Sequence, residues 1–353
     1  MKEISIKFYC ACFFIASFIS CSEKINEPEL SEIAFHIANH DDPNFPVFEI
    51  TTSLDVSDVE WLFPENVKIT AKKTVTHYFE KKGDYEVILR YPHRGEIISY
   101  KKIISIPQNS EYYERGEYLW WADEFEGEAL NPDDWNYETD KPIYNNEWQL
   151  YTDKKENSFF RDGKFVIRAT KAGTGQKAGD YRSARVTTQN KKELNRGRVE
   201  VRAKMPGGRG TWPAIWLFKS KWDDYYAELD MMEYVGVDPY EVHSSVHTNY
   251  TLSDRNRRIY DYRIIKDVEE NFHTYGVNIM DGYIEFYIDH DPPHLVFTTN
   301  ELNDPNKWPF DQNMFLILNV AVGGDWGGYN GVDDAIFPHE MEVDYVRIFK
   351  KMR

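Results

Sequence analysis

Three carboxylates, Glu228, Asp230 and Glu233, interrupt the otherwise apolar run Glu228-Leu229-Asp230-Met231-Met232-Glu233. Strand alternation puts Glu228 and Asp230 on one face and sends Glu233 to the other. A bulge at Met231-Met232, two residues opposing one, returns Glu233 to the face of the first two. Three like charges on one face repel, so the pattern needs a chemical reason. A retaining glycosidase gives one, because it works with two carboxyl groups about 5–5.5 Å apart across a sugar bond. A third carboxylate between that pair orients the nucleophile and, by like-charge coupling, keeps the acid protonated near neutral pH. Without context the same stretch also reads as an acidic strand edge or a metal site.

A glycine-flanked aromatic stretch precedes it, Gly207-Gly208-Arg209-Gly210-Thr211-Trp212-Pro213-Ala214-Ile215-Trp216. Other short motifs are Asn145-Asn146-Glu147, Ser183-Ala184-Arg185, Val246-His247-Thr248, Trp308-Pro309-Phe310-Asp311, Leu318-Asn319-Val320-Ala321-Val322-Gly323-Gly324, and Phe337-Pro338 leading to Val343-Asp344-Tyr345-Val346-Arg347. As a collinear set they resemble the laminarinase-like branch of glycoside hydrolase family 16, over roughly Tyr112 to the C-terminus. Motifs in order over such a length are far more specific than any one of them.

The resemblance implies roles position by position: Glu228 as nucleophile, Asp230 as assisting carboxylate, Glu233 as acid and base, and hydrolysis with retention. Trp212 and Trp216 stand four residues apart, so alternation puts both rings on one face; the resemblance makes them a sugar-stacking platform, where the bare spacing also allows two core tryptophans. Trp326 resembles a further cleft aromatic. Asn146, Arg185 and His247 match positions that line the cleft, although a lone histidine in a strand reads equally as a structural residue, and His243 has no special claim. A structural Ca²⁺ on the convex side is implied at Glu126, Gly163 and Asp344, oxygen donors of the kind Ca²⁺ prefers; by themselves the two acids read as surface carboxylates. Catalysis itself implies no cofactor. One departure from the family pattern is the segment Trp222-Asp223-Asp224-Tyr225-Tyr226-Ala227 directly before the acidic stretch, which borders the cleft and bears on substrate choice.

Those residues need strands to hold them, and the chain is written in strands. Short alternating segments bounded by Gly, Asn and Asp recur from Phe165 to Phe349, and no long stretch has helical periodicity. The expected fold is all-β: a two-sheet sandwich, for which the resemblance implies a jelly roll with a cleft-bearing sheet. Residues 30–107 repeat the pattern on a smaller scale. Trp61-Leu62-Phe63, Val75 to Phe79 and Gly83 to Val87 resemble PKD-type immunoglobulin-like domains, which implies a small N-terminal β-sandwich acting as a spacer. The catalytic region is placed at 112–353.

Lys2 and Lys7 precede an apolar run, Phe8 to Ile19, that reads as a signal peptide over residues 1–20. Phe18-Ile19-Ser20-Cys21 resembles a lipobox, so Cys21 is the expected lipidation site, residues 21–29 a polar tether, and the protein an exported bacterial lipoprotein at the outer membrane or cell surface, a monomer held by its lipid. All three cysteines lie in this segment, which excludes disulfides from the remainder. A net charge of −17 excludes nucleic acid as a partner and suits a neutral polymer. Aromatics at 16% offer rings for stacking on sugar faces. No zinc-ligand spacing, Ser-His-Asp order, P-loop or dinucleotide fingerprint occurs. The function expected is endo-acting hydrolysis of β-1,3-containing glucans. The alternatives are a mixed-linkage β-1,3-1,4-glucanase, an endo-β-galactosidase on marine or host glycans, and a non-catalytic glycan-binding lipoprotein, for which three close carboxylates have no use.

Overall fold

Alternating apolar and polar residues build two units, each a pair of sheets closed over its own core. The structure, a computed structural model, describes residues 33–38, 42–52, 59–71, 73–93, 95–139, 144–289 and 291–352. The signal peptide, the tether and Cys21 expected from the sequence lie outside the described residues. Among the described residues no helix is long and apolar enough to cross a membrane.

The N-terminal unit pairs a three-stranded sheet (Ile33–Ala38, Val47–Thr52, Thr74–Thr76) with a four-stranded one (Val59–Leu62, Lys68–Ala71, Gly83–His93, Glu96–Ile106). Val59 and Trp61 point inward while Glu60 and Leu62 stay half-buried, the period-2 signature of a strand covered on one face. Trp61 meets Phe35 of the other sheet edge-on at 5.1 Å, with Phe48, Val87 and Leu89 completing a dry centre.

The larger unit stacks a ten-stranded back sheet on an eight-stranded cleft sheet. The cleft sheet is built from β1 (Asn136–Tyr137), β2 (Arg185–Thr187), β3 (Thr211–Lys219), β4 (Ala227–Tyr234), β5 (Glu241–Thr248), β6 (Ile259–Ile264) and β7 (Met314–Val322), with a short Glu193–Leu194 strand beside β7. Their spatial order is β6-β5-β4-β3-β7-β2-β1, antiparallel at every junction. Leu217, Leu229, Val246 and Leu318 face the back sheet, whose strand β8 (His339–Lys351) contributes Val343, Val346 and Ile348 to the same core.

A third, smaller core joins the two units. Along β8, Val346 and Ile348 are buried in the main core, so Tyr345, Arg347 and Phe349 leave the outer face of the back sheet. There Phe349 stacks on Tyr112 at 3.8 Å and meets Tyr78 edge-on. The Arg347 guanidinium lies between the rings of Phe45 (3.4 Å) and Tyr345 (3.6 Å), and grips Glu124 with Nε and Nη2 at 2.8 and 2.9 Å. Thr76 Oγ1 adds a 2.5 Å hydrogen bond to Glu126 across the same junction.

Candidate active site

The register between β4 and its neighbours decides which carboxylates meet. Phe218 faces Glu228 and Trp216 faces Asp230, but Ile215 faces Met232 and Ala214 faces Glu233, so one extra residue enters β4 between Asp230 and Met232. The break also shows against β5, where His247, Ser245 and His243 oppose Glu228, Asp230 and Glu233. This is the bulge that the sequence calls for. Met231 and Met232 are both fully buried, and all three carboxylates line one cleft of about 470 Å³.

Each carboxylate has its own hydrogen-bond partner. Tyr226 OH donates to Glu228 Oε2 at 2.8 Å, Ser245 Oγ donates to Asp230 Oδ2 at 2.5 Å, and Trp212 Nε1 donates to Glu233 Oε1 at 3.0 Å. His247 Nε2 lies 3.0 Å from Asp230 Oδ2 and 3.9 Å from Glu228 Oε1. Burial works against a charge on this imidazole, yet the hydrogen bond and charge of Asp230, with Glu228 and Glu233 behind it, raise its pKa to about 9. His247 is therefore a cation among three acids.

Burial first, and the neighbouring Asp230 charge second, push both Glu228 and Glu233 above the usual carboxylate range. The two do not share that pressure equally. Glu228 has the His247 charge, the Tyr226 hydroxyl and the Arg185 charge favouring its ionised form. Glu233 faces both Asp230 and Glu228, against one indole N–H and a more distant His247. Coupled acids titrate as a pair, and this one favours an ionised Glu228 beside a protonated Glu233.

The walls come from β3, β7 and β2. Trp212, Ala214, Trp216 and Phe218 share the cleft face of β3, as alternation requires. Trp216 donates its indole N–H to Asn319 Oδ1 at 2.8 Å, and Arg185 lies over the Trp216 ring at 4.8 Å while pairing with Glu138 at 2.7 Å. Gly324 has a φ of +80°, and a Cβ there would stand 2.9 Å from the Asn145 carbonyl and 3.2 Å from the Trp212 ring, so the Gly-Gly turn is shaped around Trp212. Trp222, from the segment that departs from the family pattern, also lines the cleft and is 73% exposed.

Several sequence expectations land elsewhere. Asn146 donates to Asp325 Oδ1 at 2.8 Å, and its neighbour Asn145 lines the cleft wall. Both asparagines sit at positive φ, where alternation has no meaning. Trp326 packs edge-on against Trp212 at 5.7 Å and forms part of the rim. The calcium positions do not fit a cation. Asp344 is engaged by Lys164 at 3.2 Å and Arg202 at 2.5 Å, Glu126 accepts the Thr76 hydroxyl, and Gly163 forms the tight turn between Ser158–Arg161 and Lys164–Lys171. Tyr151 and Glu138, which also line the cleft, carry no signal in the sequence, whereas Tyr226 and Asn319 lie in stretches that the sequence marks without giving either a role of its own. Tyr226 stands two residues before Glu228, just ahead of β4, and strand parity carried back by one residue puts it on the same face.

The fold has close counterparts. Residues 133–347 match the model of "Glycosyl hydrolases family 16". A β-glucanase of Rhodothermus marinus is 37% identical over 249 residues, covering 66% of this chain and 85% of the relative. A glucan endo-1,3-β-glucosidase of Cryptopygus antarcticus is 32% identical, covering 64% of this chain and 90% of the relative. Among solved structures, SCLam, described as a non-specific endo-β-1,3(4)-glucanase, superposes with a TM-score of 0.62 at 36% identity, covering 67% of this chain and 92% of its own. With the family model spanning most of the chain and the sandwich reproduced in solved relatives, this protein is a glycoside hydrolase that belongs to glycosyl hydrolases family 16.

Proposed function

We propose that the protein is a retaining, endo-acting β-glucan hydrolase that cleaves β-1,3-containing glucans, with Glu228 as nucleophile, Asp230 as assisting carboxylate and Glu233 as acid and base. The observation that carries this reading is the bulge at Met231-Met232, which brings the three carboxylates to one face of a cleft walled by tryptophans. Glu228 attacks the anomeric carbon while the Glu233 proton passes to the leaving oxygen, giving a glycosyl ester on Glu228 and a carboxylate at Glu233. That carboxylate then takes a proton from water, whose oxygen attacks the same carbon and frees Glu228. Trp216, Arg185 and Asn319 hold the sugar that stays bound.

The first test is sugar release from laminarin, barley β-glucan, agarose and mucin glycans, followed by NMR of the first product formed. Laminarin is expected to be cleaved fastest, and its product to carry the β configuration. An α product would remove the double displacement. Trp222 at the cleft wall bears on which linkage is taken, and the barley β-glucan rate separates the alternative of a mixed-linkage glucanase.

His247 gives a pH prediction. Its positive charge eases ionisation of Glu228 and, more weakly, of Glu233, so its loss makes both harder to ionise. In His247→Asn the bell-shaped kcat/KM profile is expected to move to higher pH, the acidic limb by more than the basic one. Limbs that stay fixed while only the height drops would assign His247 to sugar binding alone.

The remaining assignments belong to the same reading. The N-terminal unit is a PKD-like, immunoglobulin-type spacer, and the chain is a monomeric lipoprotein anchored through Cys21 outside the cytoplasm. Cys21→Ser is expected to release soluble enzyme, and retention of that variant on membranes after a high-salt wash would refute the anchor.

A further inference from the structure

The walled pocket lies on the β3 side of the carboxylates, and on the other side the cleft sheet continues as an open shelf. β5 sets His243 opposite Glu233 and Ser245 opposite Asp230, and β6 sets Tyr262 opposite His243 and Tyr260 opposite Ser245. Directly paired residues share a face. That face is the cleft face, because Ser245 bonds Asp230. Tyr260 is 63% exposed and Tyr262 44%, so neither ring serves a core. Tyr262 nonetheless ends a run of rings. Trp212, which donates to Glu233, meets Trp326 at 5.7 Å, Trp326 meets His243 at 4.9 Å, and His243 meets Tyr262 at 5.4 Å.

A double displacement asks different things of the two sides. The sugar bonded to the nucleophile must stay through both steps, which suits walls with converging polar groups. The other part of the chain must bind, accept a proton from Glu233 and depart, which suits an open surface beginning at that acid. We propose that Tyr260 and Tyr262, backed by His243 and Trp326, form a leaving-side subsite that stacks a pyranose ring of the departing β-glucan segment. Two strand spacings, about 10 Å, separate β4 from β6, so the subsite meets a ring beyond the one directly attached to the cleaved oxygen. This inference rests on the β-glucan reading of the site and deepens it.

The test compares Tyr260→Ala/Tyr262→Ala with Tyr260→Phe/Tyr262→Phe on two substrates. One is a long laminari-oligosaccharide, the other a nitrophenyl laminarioside whose leaving group ends at a single ring. For the alanine pair, kcat/KM on the long substrate is expected to fall about tenfold, chiefly through KM, as lost ring stacking predicts. Its bond of preference should shift, and the nitrophenyl substrate should be cleaved as by the unaltered enzyme. The phenylalanine pair, which keeps both ring faces, is expected to match the unaltered enzyme on both. An alanine pair with no loss on the long substrate, or with equal loss on both, overturns the subsite. An unaltered enzyme that cleaves neither substrate overturns the β-glucan reading, and the subsite with it.

Discussion

Glu228→Ala and Glu233→Ala are each expected to lower hydrolysis of the natural glucan by at least about 10⁴-fold, by routes that azide tells apart. Without Glu228 no glycosyl ester forms, and the vacated space lets azide approach the anomeric carbon from the nucleophile's side. With an activated leaving group the product is a glycosyl azide of inverted configuration. Without Glu233 the ester still forms from activated substrates, because a good leaving group needs no proton, and azide then displaces Glu228 to give the retained product. The anomeric configuration of the two azides, read by NMR, decides between the roles. Exchanged products would exchange the residues. The hydrogen-bond partners argue against exchange, since Tyr226 and His247 stand at Glu228 and favour its charge, whereas Glu233 has a single indole N–H at 3.0 Å.

The second large effect is on folding. Arg347 is 1% exposed, its guanidinium held between two rings and paired through two bonds to Glu124. Arg347→Met keeps much of the volume but leaves Glu124 without its cation in a mostly covered site. Removing one partner of a buried pair costs about 3–5 kcal/mol. Urea denaturation should show a loss of that order, and proteolysis should become faster near residues 107–111, where the two units meet. Arg347→Met/Glu124→Gln should recover a good part of the loss, because the charge left behind is then absent too. A single variant as stable as the unaltered protein would mean that the ring contacts alone hold the junction.

The parts of the site governed by counting along one strand were legible in the sequence. Alternation places Glu228 with Asp230 and Trp212 with Trp216, and the shared face of Glu233 requires one extra residue, which β4 has. Contacts between distant segments follow no such count. Arg185 with Glu138, Trp216 with Asn319 and Arg347 with Phe45 are brought together only by the order of strands in the sheets and the stacking of the units. Arg347, an arginine in an alternating strand, looks from its spacing like an ordinary solvated charge. Asp344 misled in the opposite way. Its position suggests a metal ligand, but Lys164 and Arg202 arrive from two neighbouring strands and neutralise it. Asn145 and Asn146 sit where the backbone turns to positive φ, so a strand's parity does not say which of the two faces the cleft.

The junction around Arg347 lies on the outer face of the back sheet, whereas the carboxylates open from the other sheet. The N-terminal unit is thus mounted behind the molecule with respect to its working side. A surface holding the protein by that unit would meet the rear, and the mouth of the cleft would look outward. Traffic of polymer through the cleft would then run across the free side, and chains too bulky to pass beneath the protein would still reach Glu233.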